Sequence, residues 1–220
     1  MPKAVIFDVD GTLVDSVDLH AQAWADAFHH FGYPVSAAHV RTQIGKGGDQ
    51  LMPVFVPKAD LDRIGKDLDK WRGEHFRAQY LPRIKGFPGV RPLFDALLAR
   101  GLRIGLGTSS KPEDLGRLKE AAGIADLDLV EATSEDAERS KPHPDIFQAT
   151  LAKLGAAPGD TVAVGDTPYD AEAAAKAGIA AVGVLCGGFP EADLKRAGCV
   201  ALYRDPADLL ARLGDSPLLR

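Results

Sequence analysis

From Val90 onward, short apolar runs alternate with segments of three- and four-residue apolar spacing, and that alternation leaves few folds open. The runs Ala4–Phe7, Leu102–Leu106, Asp128–Glu131, Thr161–Val164, Ala180–Leu185 and Val200–Leu202 read as strands. The segments Val90–Arg100, Pro112–Ala122, Pro144–Leu154, Asp170–Ala177 and Pro206–Leu213 read as helices. Gly101, Gly123, Gly155 and Gly178 sit where those helices should stop, because glycine adopts the left-handed backbone of a helix end without strain. Strands this continuously apolar must be covered on both faces, which a parallel sheet between helical layers provides. The expected fold is α/β, a doubly wound parallel sheet (a Rossmann-like core).

One stretch breaks the alternation. Residues 16 to 84 hold no convincing strand, and helical patterns run through Val17–Phe31, Ala37–Ile44 and Ala59–Tyr80, punctuated by Pro34, Pro53, Pro57 and Pro82. The simplest reading is a small α-helical cap domain of residues 16–84, inserted into a core of residues 1–15 and 85–220. Such an insertion, leaving the chain just after the first strand, lies over the carboxyl ends of the strands, where open α/β sheets bind ligands.

Four motifs fall at those strand ends. Asp8-Val9-Asp10-Gly11-Thr12 places two carboxylates at the end of a buried strand, a costly arrangement unless a cation or a reaction uses them. Asp8 is the candidate nucleophile and Asp10 the candidate proton donor and acceptor. Gly107-Thr108-Ser109-Ser110-Lys111-Pro112 offers hydroxyls and backbone N–H groups for a phosphate, although Ser110 could equally cap the following helix. Lys141-Pro142-His143-Pro144 fixes an ammonium on a stiff segment, able to neutralise a phosphoryl group and an attacking carboxylate together. Gly165-Asp166-Thr167-Pro168-Tyr169-Asp170 supplies a hard oxygen ligand in Asp166, suited to Mg²⁺. Asp170 reads as a helix cap or as support for Asp166 rather than as a ligand. Phosphoryl transfer needs an in-line attacker, a metal and neutralisation of the equatorial oxygens, and the motifs together supply each part.

These residues resemble the haloacid dehalogenase-like hydrolase superfamily, in its branch of phosphatases with a helical cap after the first motif. The resemblance implies an Asp8 nucleophile and an Asp10 general acid/base. It also implies Mg²⁺ held by the Asp8 carboxylate, the Asp10 backbone carbonyl and Asp166, and a phosphoryl group held by Thr108, Ser109 and Lys141. Asp10 favours phosphate monoesters, since dehalogenases and phosphonoacetaldehyde hydrolases lack an aspartate there. Phosphoglycolate phosphatase-like enzymes are matched by Gly183 to Phe189, and β-phosphoglucomutase-like enzymes by His20, Trp24 and Ser110-Lys111. Gly48 stands where the mutases carry an arginine for the non-transferring phosphate, so hydrolysis is the expectation and a phosphosugar mutase the alternative. A non-catalytic binding protein on the same fold would have lost Asp8, Asp10, Lys141 or Asp166, and all four are here.

In the cap, Lys46 lies among Gly45, Gly47 and Gly48 and is a candidate substrate contact. His20, one turn into the first cap helix, either positions Asp10 or is a satisfied buried histidine, and Trp24 reads as core. Arg41 and Lys111 are further cations for the substrate's remote end. The formal charge of −5 argues against nucleic acid or an anionic membrane as a partner without excluding a small anionic substrate, and the resemblance implies a small phosphorylated metabolite. Cys186 and Cys199 form no disulfide framework or zinc-ligand spacing. With no leader pattern and no long apolar run, a cytoplasmic location is expected, and the oligomeric state is left open.

Overall fold

A computed structural model describes residues 2–220. In chain order it contains β1 (Ala4–Phe7), β2 (Val14–Asp15), α1 (Val17–His30), α2 (Ala37–Arg41), α3 (Gly48–Phe55), α4 (Lys58–Gln79) and β3 (Lys85–Gly86). There follow α5 (Val90–Leu98), β4 (Arg103–Gly107), α6 (Pro112–Ala122), β5 (Val130–Ala132), α7 (Asp145–Leu154) and β6 (Thr161–Gly165). The chain ends with α8 (Pro168–Lys176), β7 (Ala180–Val184), α9 (Glu191–Arg196), β8 (Ala201–Tyr203) and α10 (Pro206–Ala211). Among the described residues no helix is long and apolar enough to cross a membrane.

Six strands form one parallel sheet in the order β5-β4-β1-β6-β7-β8. The strand period of two sends alternate residues to opposite faces. In β1, Val5 and Phe7 join a core with Leu93, Phe94 and Leu97 of α5, while Ala4 and Ile6 join a second with Phe147 of α7 and Ala174 of α8. The sheet is therefore buried on both sides, and the α/β fold with a helical insertion stands. Gly101, Gly123, Gly155 and Gly178 all take positive φ just past their helices. The register places the site: Phe7 pairs with both Leu106 and Val164, so Asp8 comes level with Gly107 and Gly165. Thr108 and Asp166 then lie one residue further, at the same edge of the sheet.

The helices α1 to α4 build their own core, in which Trp24, Phe28, Val40, Leu51 and Leu68 are buried together. Three elements here and beyond were not legible as such. The antiparallel pair β2–β3 joins Val14 to Gly86 and Asp15 to Lys85, too short for any period to show. Helix α3 begins on a glycine and contains Pro53, both poor helix signals. Helix α9 is six residues long. Strand ends also shift by a residue or two: β5 is Val130–Ala132 rather than Asp128–Glu131.

Gly105 lets α7 lie close on the sheet, since a Cβ there would stand 2.6 Å from Thr150 Cγ2 and 3.0 Å from Leu154 Cδ1. Gly105→Val should therefore overpack the layer and cost about 1–3 kcal/mol of unfolding free energy in urea titration. An unchanged midpoint would mean that helix and sheet are not this close.

Candidate active site

Asp8 ends β1 and is buried, its backbone N–H donating to Val164 O at 2.9 Å. Lys141, only 1 % exposed, reaches in from the loop before α7. Its Nζ stands 2.5 Å from Asp8 Oδ1, 2.8 Å from Asp170 Oδ1 and 3.1 Å from Gly107 O. Burial alone would lower the lysine's pKa, but Asp170 and Asp8 outweigh it and hold the group charged, above its ordinary range. Asp170 also caps α8, its Oδ2 accepting from Thr167 N at 3.0 Å and Thr167 Oγ1 at 2.6 Å. Its carboxylate therefore serves the helix end and the lysine.

Asp166 follows β6 and is fully buried. Thr12 Oγ1 donates to Asp166 Oδ1 at 3.0 Å and lies 3.4 Å from Asp8 Oδ2. Asp166 Oδ2 has no hydrogen-bond partner among the described residues. Carboxylate oxygens of Asp8, Asp166 and Asp170 lie within 4.8 Å of one another. Burial, then Lys141's opposing charge and the neighbouring Asp170, set Asp8's pKa at about 7. Burial, Asp170 and Asp8 push Asp166 well above the usual carboxylate range. Glycine is required at two places around Asp166 Oδ2, because a Cβ on Gly11 or Gly187 would overlap it. An orphaned oxygen, surplus negative charge and a glycine-lined approach fit a hard divalent cation.

Asp10 is turned away from that trio. Its Oδ1 accepts from Ser16 Oγ at 2.6 Å and faces His20 Nε2 at 2.9 Å, while its Oδ2 accepts from Ser110 Oγ at 2.6 Å. Burial pushes Asp10 up, but His20 and the Ser110 and Ser16 hydroxyls outweigh it and hold the carboxyl below its usual range. Arg72 Nη2 lies 2.5 Å from His20 Nδ1. A guanidinium can only donate, so Nδ1 accepts, and the ring proton on Nε2 is given to Asp10. The acidic cluster is thus made by the side chains of Asp8, Asp166 and Asp170, and the Asp10 carboxylate lies outside it.

A cavity of about 400 Å³ lies over this edge of the sheet, lined by Asp8, Asp10, Thr108 and Ser109 from below and by His20 and Lys46 from the helical insertion. Lys46 Nζ donates to Gln43 Oε1 at 2.6 Å and sits 4.6 Å from the Tyr169 ring centroid. Trp24 is core, as its position implied, and also walls the cavity. Lys111 lines it too, paired with Asp69 at 2.9 Å. Arg41 is placed elsewhere: its guanidinium bonds Gly187 O at 3.0 Å, Gly188 O and Asp18, tying insertion to core. Asp49 accepts from Ser140 N at 3.1 Å and from Ser140 Oγ, and Tyr169 OH donates to Thr42 O at 2.7 Å. Thr12, Ser16 and Ser110 as carboxylate partners, Arg72 behind His20, and the Asp49–Ser140 latch were not singled out from sequence. Only Thr12 and Ser16 carried a signal, by their closeness to the paired aspartates.

The pattern describing haloacid dehalogenase-like hydrolases matches residues 5–184. A phosphoglycolate phosphatase of Rhodospirillum rubrum is 34 % identical, over 97 % of this chain and 92 % of its own length. The crystal structure of a hydrolase from Pseudomonas syringae superposes with a TM-score of 0.90 at 28 % identity, covering 97 % of this chain and 98 % of that one. A mutant of CbbY from Rhodobacter sphaeroides, crystallised in complex with xylulose-(1,5)bisphosphate, gives a TM-score of 0.76 at 25 % identity, covering 95 % and 96 % of the two chains.

The raised Asp8 fixes a pH signature for the cation-free protein. A carboxyl whose folded pKa exceeds its unfolded one binds a proton that unfolding releases, so stability falls as pH rises from about 4 through about 7. A divalent cation relieves the same charge. In thermal melts Mg²⁺ should therefore raise Tm more at pH 8 than at pH 6, and Asp166→Asn should remove most of that gain. An equal Mg²⁺ shift at both pH values would sink the assignment.

Proposed function

Because the chain belongs to the haloacid dehalogenase-like hydrolase family and is a phosphatase within it, we propose that it hydrolyses a small phosphorylated metabolite, of phosphoglycolate or sugar-phosphate type, through an aspartyl-phosphate on Asp8. The observation that carries the reading is the contact of Lys141 Nζ with Asp8 Oδ1 at 2.5 Å inside a buried acidic cluster. That contact points one carboxylate oxygen at the lysine and leaves the other free of strong donors, as a nucleophile requires.

Asp8 and Asp166, with the Asp10 carbonyl, would hold Mg²⁺. When bound, the cation neutralises charge on the attacking carboxylate and on the phosphoryl oxygens. Thr108, Ser109 and the Lys141 ammonium take the remaining phosphoryl oxygens, stabilising charge in a site from which water is excluded. Asp8 attacks phosphorus in line. Asp10 gives a proton to the departing oxygen, its pKa raised at that moment by the anionic group beside it. After the alcohol leaves, Asp10 is again a carboxylate, held as such by His20, Ser16 and Ser110. In that form it takes a proton from the water that cleaves the aspartyl-phosphate.

Residues 16–84 act in this reading as a mobile cap on a core of residues 1–15 and 85–220, with β2–β3 as its hinge. Hydrolysis is favoured over the mutase reaction by Gly48, where a Cβ would stand 3.1 Å from Trp24 Cη2, leaving little room for an arginine. Lys46 is engaged with Gln43 and Tyr169 and is a weak substitute.

Purified protein with Mg²⁺ should release inorganic phosphate from one or a few members of a metabolite panel, and chelation should stop it. Asp8→Asn should lower kcat by about 10⁴-fold or more while leaving the urea midpoint near that of the wild type. Turnover surviving in Asp8→Asn would refute the aspartyl-phosphate. Label retained as glucose 6-phosphate, from β-glucose 1-phosphate with a bisphosphate primer, would establish the mutase instead.

A further inference from the structure

Beyond Asp10 the cavity continues between α4 of the insertion and the first turn of α6, where Arg72, Asp69, Lys111 and Asp114 line it. None of these four touches the reaction centre in the mechanism above. A two-carbon acid phosphate anchored at Asp8 would leave most of the roughly 400 Å³ to water. The relatives' shared name therefore does not account for the size of this cavity.

The polar groups at the far end narrow the chemistry further. Asp114 is 4 % exposed, and its Oδ1 has no hydrogen-bond partner among the described residues, the nearest cation being Arg77 Nη1 at 3.6 Å. On the facing helix, the Arg72 guanidinium lies between Trp24 and Phe76, 4.9 Å from each ring centroid, and its Nε likewise lacks a partner. The Lys111–Asp69 pair adds a second donor beside a second acceptor. A carboxylate terminus would satisfy Arg72 but confront Asp114 and Asp69. An ammonium would do the reverse. A hydroxyl donates to the one and accepts from the other, so a chain of hydroxyls suits this wall best.

We infer that Arg72 and Asp114 form a distal subsite that selects a hydroxyl-rich phosphate monoester, a pentose or hexose phosphate in size, over a two-carbon acid phosphate. This rests on the phosphatase reading and names its substrate class. An acidic residue in the first turn of a helix is commonplace for its favourable interaction with the macrodipole. That role needs neither burial nor a place in the cavity lining.

The test measures kcat/KM with Mg²⁺ for ribose 5-phosphate, glucose 6-phosphate, glucose 1-phosphate, 2-phosphoglycolate and p-nitrophenyl phosphate. The wild type should prefer one of the sugar phosphates to 2-phosphoglycolate by at least tenfold. Asp114→Ala and Asp114→Ser should each reduce that ratio tenfold or more, and Asp114→Asn, which keeps an oxygen acceptor, should retain most of it. Ser is tolerated in a first helical turn, so it carries the test should the alanine variant fail to fold. Preference for 2-phosphoglycolate, or a ratio indifferent to Asp114→Ser, would overturn the subsite while leaving the phosphatase intact. No turnover of any ester, p-nitrophenyl phosphate included, would fell the phosphatase reading and this inference with it.

Discussion

A lysine ammonium that is 1 % exposed, held between Asp8 and Asp170, is the interaction on which the rest of the site depends. Burying a charge is expensive, and an ion pair in a dry interior recovers that cost only with good geometry and further hydrogen bonds. Here the account does not balance within the protein: three buried carboxylates gather around one ammonium. Burial first, and the neighbouring carboxylates after it, displace Asp8 and Asp166 upward, and Asp166 Oδ2 is left unpartnered among the described residues. A core built for stability alone would have used apolar residues of similar volume. The arrangement is intelligible as one whose surplus charge a cation arriving from outside would offset.

The helical insertion closes on that cluster through the loops that carry it. Ser140, which accepts from Gly47 N at 2.9 Å and bonds Asp49, directly precedes Lys141. Gly187, whose carbonyl receives Arg41, lies against Asp166 Oδ2. Tyr169, whose hydroxyl reaches Thr42, is the residue before Asp170. These three polar contacts between insertion and core thus each end within a residue of, or in contact with, a charged group of the site. If the insertion moves as proposed above, its closure would be coupled through these contacts to the loops that carry Lys141 and Asp166.

Much of this was legible because it is written in period and punctuation. The strand Ala4–Phe7, continuous and apolar, demanded cover on two faces, and Asp8 immediately after it could only lie at the sheet's carboxyl edge. Lys141 and Asp166 were legible for a similar reason, the one fixed by the prolines after it and the other by the apolar strand before it. What escaped depends on distance in sequence. Thr12 meets Asp166 across 154 positions and Arg72 meets His20 across 52, and no local pattern announces either. Asp114 reads from sequence as an ordinary acid opening a helix. Only the facing wall of α4 gives it another meaning. Likewise α3, with its glycine start and internal proline, exists because Leu51 is buried in the core of the insertion, an instance of tertiary packing overriding propensity.

The proposed mechanism asks one carboxyl for two opposite roles, and the chain from Arg72 through His20 to Asp10 bears on both. Arg72 fixes the proton of His20 on Nε2, and with Ser16 and Ser110 this gives Asp10 donors on both oxygens. All of those donors favour the carboxylate, the form needed to activate water. Burial favours the acid, the form needed to protonate a leaving oxygen, but those donors outweigh it. The bias toward the acid must then come from the phosphoryl group itself, whose charge beside Asp10 opposes ionisation and whose transfer to Asp8 withdraws that opposition. In the proposed mechanism, substrate charge rather than any second residue would set the order in which Asp10 gives and takes its proton.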